Sequence, residues 1–343
     1  MSRKKDQDRA EQAGEQSFAV NEVPGTHKEM ASRRQFLTGA SLLVLGTALN
    51  IKGASASAGA ESPVIDIHQH ADYNGRSVES LLLHQRLMGV TTSIVLPVGR
   101  QALAPPPGRP AGKGGRPIAG DNEACLRIAK EYPKTFYAGA SEIDFPDAAP
   151  EIEKYLKLGA VVIGELKARV ECDSAEMQQI YQLAESYGVP VLMHWQHGEF
   201  NLGLERFHKM LEKYPRVNFI GHAQTWWANI GKEHEDQRVM YPEGRVSPSG
   251  LTDRLLSDYP NMYGDLSSNS GLNALTRDEE HIRQFLTRHQ DKLMFGSDCG
   301  DAKGTVDACL GAKIIASIKK LSEDKKIERK ILYENAKKLF GIG

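Results

Sequence analysis

The chain has few cysteines and no pair of them spaced for metal binding. Its four cysteines, Cys125, Cys172, Cys299 and Cys309, form no C-x-x-C motif. This spacing argues against a zinc ribbon and a disulfide framework, although a single disulfide in an oxidising compartment stays open. The formal net charge is only −1, and no stripe of basic residues runs along the chain. Because nucleic-acid binding requires such a stripe, we expect no nucleic-acid partner.

Long apolar runs are also absent. The apolar stretch at residues 36–51 has 16 residues and includes Gly39 and Gly46, whereas a membrane-spanning helix needs about 20 mostly apolar residues. It follows a twin-arginine motif, SRRQFL, at residues 32–37 and precedes a run of small residues at 54–58. This order predicts a cleavable twin-arginine export signal.

The export signal divides the chain into two parts. We expect residues 1–58 to be a signal peptide with a disordered leader, cleaved after Ala58, and residues 59–343 to form one folded domain. The twin-arginine translocase is then a partner during export. The mature protein is expected to be periplasmic or secreted, with no stable membrane insertion. This route carries folded proteins, often with cofactors inserted, which suits a protein that binds a metal.

Short apolar runs alternate with longer amphipathic segments after residue 59. Strands are predicted at residues 64–68, 91–97, 135–140, 160–166, 189–194, 217–221, 261–266 and 292–296. Helices are predicted at residues 77–88, 122–132, 148–158, 175–187, 204–214, 251–259, 278–289 and 325–340. Eight strand–helix units favour a (β/α)8 TIM barrel, a single domain of the α/β class. The alternative, a doubly wound open sheet, would usually show a glycine-rich loop after its first strand, and none is present.

Two histidines end the first predicted strand. His68 and His70 follow the apolar run at residues 64–67, and residues two apart on a strand point to the same side. Because imidazole is the commonest metal-binding side chain, the pair is a candidate metal site. An isolated H-x-H pair is more often structural, so the rest of the chain has to support this interpretation.

Residues suited to metal binding or catalysis end four other predicted strands. Glu165 and Lys167 end the fourth strand, His194 the fifth, His222 the sixth and Asp298 the eighth. In a barrel these positions meet at the face where active sites are built. The sequence therefore predicts one metal site assembled from five strands.

With this ordered set, residues 63–343 resemble the amidohydrolase superfamily of metal-dependent hydrolases. The similarity is greatest to its amidohydrolase-related branch, which includes aminocarboxymuconate-semialdehyde decarboxylase and pyrone-dicarboxylate lactonase. The set consists of H-x-H followed by His, Gly-His and Gly-Ser-Asp, and residues 331–340 are similar to the closing helix of that branch. The fourth strand differs, because its Gly164-Glu165 pair is more similar to TatD-type hydrolases.

The resemblance implies a divalent metal, zinc first with manganese or iron as alternatives, bound by His68, His70, His194 and Asp298. A metal ion with an open coordination position lowers the pKa of bound water to about 7. Asp298 would take the proton from that water, although an aspartate here could instead cap a helix. His222 either completes a second metal site or polarises the substrate carbonyl.

Glu165 and Lys167 leave two interpretations open. Glu165 either bridges two metal ions, which raises the expected count from one to two, or forms a buried ion pair with Lys167. Lys167 could hold a substrate carboxylate or, if carbamylated, bridge the ions itself.

Aromatic and histidine side chains near the barrel mouth are candidates for substrate binding. Trp195, Trp226 and His197 are placed there, although tryptophans also commonly pack loops. The long loops at residues 98–121 and 223–250 are expected to shape the pocket. The remaining histidines are predicted to lie in the leader or on the surface: His27, His84, His208, His234, His281 and His289.

The predicted function is that of an exported metal-dependent hydrolase acting on a small molecule. Water would attack a C–N or C–O bond, as in an amide, lactone or ester. The alternative on the same site is nonoxidative decarboxylation of an aromatic or enoic acid. A non-catalytic binding barrel is the alternative from another class, and the intact ligand set argues against it. The sequence leaves a homo-oligomer open.

Overall fold

The computed structural model describes residues 62–98, 120–301, 303–304 and 309–343. The predicted export signal, its cleavage site at Ala58 and most of the loop at residues 98–121 lie outside these residues. In the described part of the chain, no helix is long and apolar enough to cross a membrane.

Eight short parallel strands form the centre of the domain. They are β1 (Ile65–Gln69), β2 (Thr92–Val95), β3 (Phe136–Ala138), β4 (Ile163–Leu166), β5 (Val191–His194), β6 (Phe219–His222), β7 (Met262–Asp265) and β8 (Leu293–Met294). Strands β1 to β3 pair in order, as do β4 to β8. A bridge between Ala140 and Ile163 joins the two groups, and the Ile67 amide donates to the Phe295 carbonyl at 3.1 Å. The sheet therefore closes into the predicted barrel.

Helices follow the strands around the barrel. They are α1 (Val78–Leu87), α2 (Asn122–Glu131), α3 (Ala148–Lys157), α4 (Ala175–Tyr187), α5 (His208–Lys213), α6 (Gln224–Ala228), α7 (Leu251–Asp258), α8 (Ser268–Thr276), α9 (Glu279–Arg288), α10 (Leu310–Leu321), α11 (Lys325–Arg329) and α12 (Asn335–Phe340). A 3-10 turn, Leu204–Arg206, precedes α5, and a π-helical segment, Lys330–Glu334, connects α11 to α12.

All eight predicted strands are confirmed, each shorter than or equal in length to the predicted run. The predicted helix at residues 204–214 divides into the 3-10 turn and α5.

Local capping residues explain where several helices begin and end. The Ser77 side chain accepts a hydrogen bond from the Ser80 amide at 3.3 Å, and Ser174 does the same for the Met177 amide at 3.3 Å. Serine and aspartate are favoured at this position because they satisfy amides that the first helical turn leaves unpaired. Helix α4 ends at Gly188, whose φ of +65° is readily adopted only by glycine.

The barrel interior is filled by inward-pointing apolar side chains. A buried cluster contains Ile65, Ile67, Ile94, Leu96, Val162, Leu192, Ile220, Met294, Ala336, Phe340 and Ile342. The last three belong to α12 and the segment after it, so the closing helix packs against the interior apolar layer. The polar residues that end the strands lie beyond this layer, where they can form a site.

Candidate metal centre

The ends of strands β1, β4, β5 and β6 bring buried polar side chains to one face of the barrel. His194 and His222 are direct neighbours in the register of β5 and β6. Asp298 follows β8, and its backbone amide donates to the His68 carbonyl at 2.8 Å. Its φ of +44° lies in the left-handed region, which costs a non-glycine residue energy unless the surroundings hold it there. The chain at Asp298 is therefore held in place by the end of β1.

The Glu165 carboxylate lies between two pairs of histidines. Its Oε2 atom is 3.5 Å from Nε2 of His68 and 3.4 Å from Nε2 of His70. Its Oε1 atom is 2.5 Å from Nδ1 of His194 and 3.5 Å from Nε2 of His222. Each carboxylate oxygen thus faces one histidine pair, which is the arrangement expected of a group that bridges two ions.

Asp298 faces the first of these pairs. Its Oδ1 atom is 3.9 Å from Nε2 of His68 and 3.4 Å from Nε2 of His70, and 12% of its side chain is exposed. Its Oδ2 atom is 3.9 Å from Nε2 of His222. Two groups of predicted ligands have donor atoms within 4.8 Å of one another: His68, His70 and Asp298, and Glu165, His194 and His222.

Neighbouring acceptors orient the first histidine pair. Nδ1 of His68 lies 2.7 Å from Oδ2 of Asp265, and Nδ1 of His70 lies 2.7 Å from the Leu96 carbonyl oxygen. Because a carbonyl or an ionised carboxylate can only accept, both Nδ1 atoms carry the proton. Nε2 of each histidine then faces the site, as it does in metal-binding histidines that are oriented through Nδ1.

The second histidine pair is oriented by side chains. Nδ1 of His222 is 2.9 Å from Oγ of Ser267. Nε2 of His194 is 3.2 Å from Oε1 of Gln196, whose amide nitrogen donates to Glu199 at 2.5 Å. His194 faces the site with Nδ1, which lies 2.5 Å from Oε1 of Glu165, whereas His222 faces it with Nε2. Because the ionised Glu165 carboxylate can only accept, Nδ1 of His194 donates to it in this structure.

Three buried atoms at this centre lack hydrogen-bond partners among the described residues. They are Nε2 of His68, Nε2 of His222 and Oδ1 of Asp298. A buried polar atom without a partner costs about 1–3 kcal/mol, and such atoms are rare in folded proteins. A divalent cation would satisfy all three, and imidazole with carboxylate ligands suits zinc, manganese or iron. The donor set therefore fits a divalent metal.

The carboxylates at the centre are ionised. Burial raises the pKa of Asp298, but the nearby His68 and His70 outweigh it and hold that pKa well below its usual range. Burial also opposes ionisation of Glu165, yet Lys167 and His194 lower its pKa well below the usual value. The negative charge that results attracts a cation.

The histidines respond to this environment in different ways. Burial lowers the pKa of His194 to about 4, which keeps its imidazole neutral at pH 7 and available as a ligand. Burial also lowers the pKa of His68, but the charges of Asp298 and Asp265 outweigh it and raise that pKa well above the usual value. The charges that favour a proton on His68 equally favour a metal ion there.

The candidate substrate residues have different surroundings. Nζ of Lys167 lies 2.6 Å from Oε2 of Glu165, and 19% of its side chain is exposed. His197 is exposed and lines a cavity of about 490 Å³ beside the barrel mouth. The Trp195 and Trp226 side chains are fully buried in the core, and the Trp195 ring packs 4.9 Å from that of Phe207. The packing alternative is thus the one that the structure shows for both tryptophans.

Sequence reasoning missed Asp265 and Ser267. The Asp265 side chain is fully buried, and Oγ of Ser267 donates to its Oδ2 atom at 2.8 Å. Burial raises the pKa of Asp265, but His68 and His222 lower it to about 2. The sequence did contain a signal for Asp265, because Gly264-Asp265 ends β7 in the same way that Gly221-His222 ends β6.

Three histidines predicted to lie on the surface are buried. The surface assignment is wrong for His84, His281 and His289, which are 0%, 7% and 3% exposed. His289 Nε2 lies 2.7 Å from Oδ1 of Asp253. A helix has an inner face as well as an outer one, so lying on a helix does not place a histidine in solvent.

Comparisons with known proteins agree with the barrel fold. A family model described as Amidohydrolase matches residues 65–342. An uncharacterised TIM-barrel protein from Bordetella bronchiseptica has 15% identity and a TM-score of 0.57, over 81% of this chain and 98% of that one. A protein from Pseudomonas putida, provisionally described as a 2-pyrone-4,6-dicarboxylic acid hydrolase, has 13% identity and a TM-score of 0.54. The match covers 82% of this chain and 97% of that one.

A third structural relative performs different chemistry. A 2,6-dihydroxybenzoate decarboxylase, solved with 2,6-dihydroxybenzoate, has 13% identity and a TM-score of 0.50, over 82% of this chain and 99% of that one. No curated protein sequence matches the chain. At these identities the solved structures establish the shared barrel fold, and the reaction has to be argued from the site.

Proposed function

The chain belongs to the amidohydrolase family, and on that premise we propose that it is a metal-dependent hydrolase of a C–N or C–O bond in a small molecule. One observation carries the proposal. Four buried histidines converge on Glu165 and Asp298, and three of the buried atoms have no partner in the part of the chain that the structure describes. Metal-dependent hydrolysis accounts for this combination of convergent imidazoles, ionised carboxylates and unsatisfied atoms.

The arrangement supports two ions rather than one. His68, His70 and Asp298 would hold the first ion, and His194 and His222 the second. The carboxylate of Glu165 would lie between them, because each of its oxygens faces one histidine pair. When bound, such ions supply Lewis-acid polarisation and a water molecule whose pKa is lowered to about 7.

The protein side chains divide the remaining tasks. Asp298 is ionised, partly accessible and has one oxygen without a partner, so it can accept a proton from water and return it to the leaving group. His222 faces Oδ2 of Asp298, whereas His70 faces Oδ1, and His222 would hold the second ion. Lys167 places a positive charge beside Glu165 at the accessible side, where it would attract an anionic group of the substrate.

A product assay tests the proposal. The purified protein, loaded with zinc or manganese, is incubated with panels of lactones, amides and aromatic carboxylic acids. Products whose summed mass exceeds that of the substrate by one water molecule support hydrolysis. Release of carbon dioxide without addition of water would overturn the hydrolase assignment and indicate a decarboxylase on the same centre. A protein that takes up no metal would overturn the centre and favour a binding barrel.

We propose in addition that the protein reaches the periplasm or the exterior by the twin-arginine route. The proposal rests on the motif at residues 32–37, the apolar stretch after it and the small residues before Ala58. A translocase that accepts folded proteins is compatible with a barrel that must bind metal before export.

A further inference from the structure

A second cluster of metal-binding side chains lies next to the candidate centre. Sγ of Cys299 is 3.7 Å from Sγ of Cys309, and Nε2 of His84 is 3.1 Å from Sγ of Cys309. The Met88 sulfur is 3.4 Å from Sγ of Cys309. The donor atoms of His84, Cys299 and Cys309 all lie within 4.8 Å of one another, and these three residues are buried.

We propose that this His84–Cys299–Cys309 cluster, with Met88, binds a thiophilic ion of the zinc(II) or copper(I) type. Thiolate and thioether sulfur select these soft ions over magnesium, calcium or manganese. Two sulfurs that are each about 2.3 Å from a tetrahedral zinc ion lie about 3.8 Å apart. The observed separation of 3.7 Å between the two Sγ atoms matches this spacing.

The surroundings of Cys309 favour an ion over a disulfide. A disulfide needs only two sulfurs, at about 2.05 Å, and leaves unexplained why an imidazole and a thioether also converge on Cys309. Both cysteines are free. Three mutually close buried donors from two cysteines and a histidine, with a thioether sulfur beside one of them, are a donor set that a soft metal ion accepts. On binding, each cysteine thiol releases its proton to solvent.

The position of the cluster gives the ion a task. Cys299 directly follows Asp298, and its carbonyl accepts hydrogen bonds from Arg76 at 2.9 Å and from Gln69 at 3.3 Å. Cys309 begins α10, and its sulfur accepts from the Ala312 amide at 3.4 Å. An ion bound here would tie the segment that carries Asp298 to α1 and α10. It would thereby position Asp298 without contacting the substrate.

Cobalt substitution tests the proposal in the intact protein. Cobalt(II) bound to thiolate shows a near-ultraviolet charge-transfer band, which imidazole and carboxylate ligands cannot produce. We expect this band in the wild type and in His68→Ala, which disables the first centre, and its loss in Cys309→Ser. Cys125→Ser, another buried cysteine outside the cluster, should keep it. Met88→Leu and His84→Gln provide milder changes if Cys309→Ser fails to fold.

Elemental analysis with zinc, and with copper under reducing conditions, identifies the ion. We expect one more equivalent of metal per chain in the wild type than in Cys309→Ser. The same difference is expected when both proteins also carry His68→Ala. Absence of the cobalt band from the folded wild type would overturn the proposal. The mass of the wild type and its thiol content test for a disulfide. If the mass is lower by two hydrogen atoms and Cys299 and Cys309 have no titratable thiol, these two residues form a disulfide and the metal-site proposal is wrong. Because the readout survives loss of the first centre, its failure is distinguishable from failure of the proposed hydrolase function.

Discussion

Asp298 combines the two properties of a general base, since it is ionised and has an oxygen atom without a partner. The change Asp298→Asn keeps the size of the side chain but removes its ability to accept a proton at neutral pH. We expect turnover to fall by about 10²–10⁴-fold, while most of the metal and the melting temperature are retained. Steady-state kinetics and elemental analysis on the same preparation measure both effects.

Asp291→Asn is the matched control for this prediction. Asp291 is exposed just before β8, at the end of that strand away from Asp298, and pairs with Lys330 at 2.6 Å, so its amide should leave turnover unchanged. Wild-type turnover in Asp298→Asn would mean that this side chain has a structural role, and the proposed base would have to be abandoned.

Glu165→Gln distinguishes a bridging ligand from an ion pair. An amide provides one oxygen where the carboxylate provides two, so the second ion loses a ligand. We expect the metal content to fall from about two ions per chain to about one, measured by elemental analysis after dialysis. Glu212→Gln, a change at an exposed position, serves as the control. An unchanged metal content would indicate that Glu165 serves mainly as the partner of Lys167.

At the residue scale, the sequence predicted the side chains that converge but not the residues that orient them. His68, His194 and Asp298 could be found because strand ends meet at one barrel face. The orientation of each imidazole depends on partners such as Leu96, whose carbonyl carries no sequence signal. The burial of Trp195 was also hidden, because adjacent strand residues point to opposite sides and the strand boundary decides which side faces the core.

At the scale of elements, a buried carboxylate connects helix α7 to the end of α9. Asp253 accepts hydrogen bonds from His289 at 2.7 Å, from Arg288 at 3.1 Å and from the Ser249 amide at 2.9 Å. Burial raises the pKa of Asp253, but these partners lower it to about 2. The pKa of the same group in an unfolded chain is about 3.9.

This difference predicts a pH-dependent contribution to stability. Because the folded-state pKa is depressed, the contribution is fully present above about pH 4 and is lost as the pH falls towards about 2. We expect Asp253→Asn to lower the free energy of unfolding at pH 7 by on the order of 2 kcal/mol. The deficit should shrink between about pH 4 and pH 2 in urea titrations.

Asp258→Asn, on the exposed side of the same helix, is the control for this helix contact. It should change the free energy of unfolding by no more than about 0.5 kcal/mol. A deficit in Asp253→Asn that stays constant from pH 7 to pH 2 would show that the carboxylate charge is not the stabilising feature.

The elements that could be predicted are those with a repeating pattern. Each strand is a short apolar run, and most long helices carry an amphipathic period, so both are visible in the sequence. Helix α6 has only five residues, too few to show a helical period, and Ser268, Ser270 and Gly271 weaken the signal at the start of α8. Neither was predicted, and α10 was missed as well although it has an amphipathic period. Tertiary contacts, including the bond from Trp227 Nε1 to the Asp265 carbonyl at 2.8 Å, stabilise α6 and α8 instead.

At the scale of the whole molecule, export is the property to test. Changing Arg33 and Arg34 together to lysine keeps the charge but removes the guanidinium groups of the motif. We expect the precursor to accumulate in the cytoplasm and the mature form, beginning near Gly59, to disappear from the periplasm. Cell fractionation with N-terminal sequencing measures this. A double change at Arg3 and Lys4, which lie outside the motif, is the control. Export of the Arg33 and Arg34 variant at the wild-type level would contradict the twin-arginine assignment.

The seam between β1 and β8 also determines when the protein can first become active. Ile67 bonds to Phe295 and Asp298 bonds to His68 across this seam, although the two strands lie at opposite ends of the described sequence. Contacts between such distant segments close a large loop, which slows folding. A ribosome must therefore synthesise β8 before His68 and His70 can meet Asp298. Recovery of activity during refolding should accordingly report the last step of folding, and no earlier intermediate should turn over substrate.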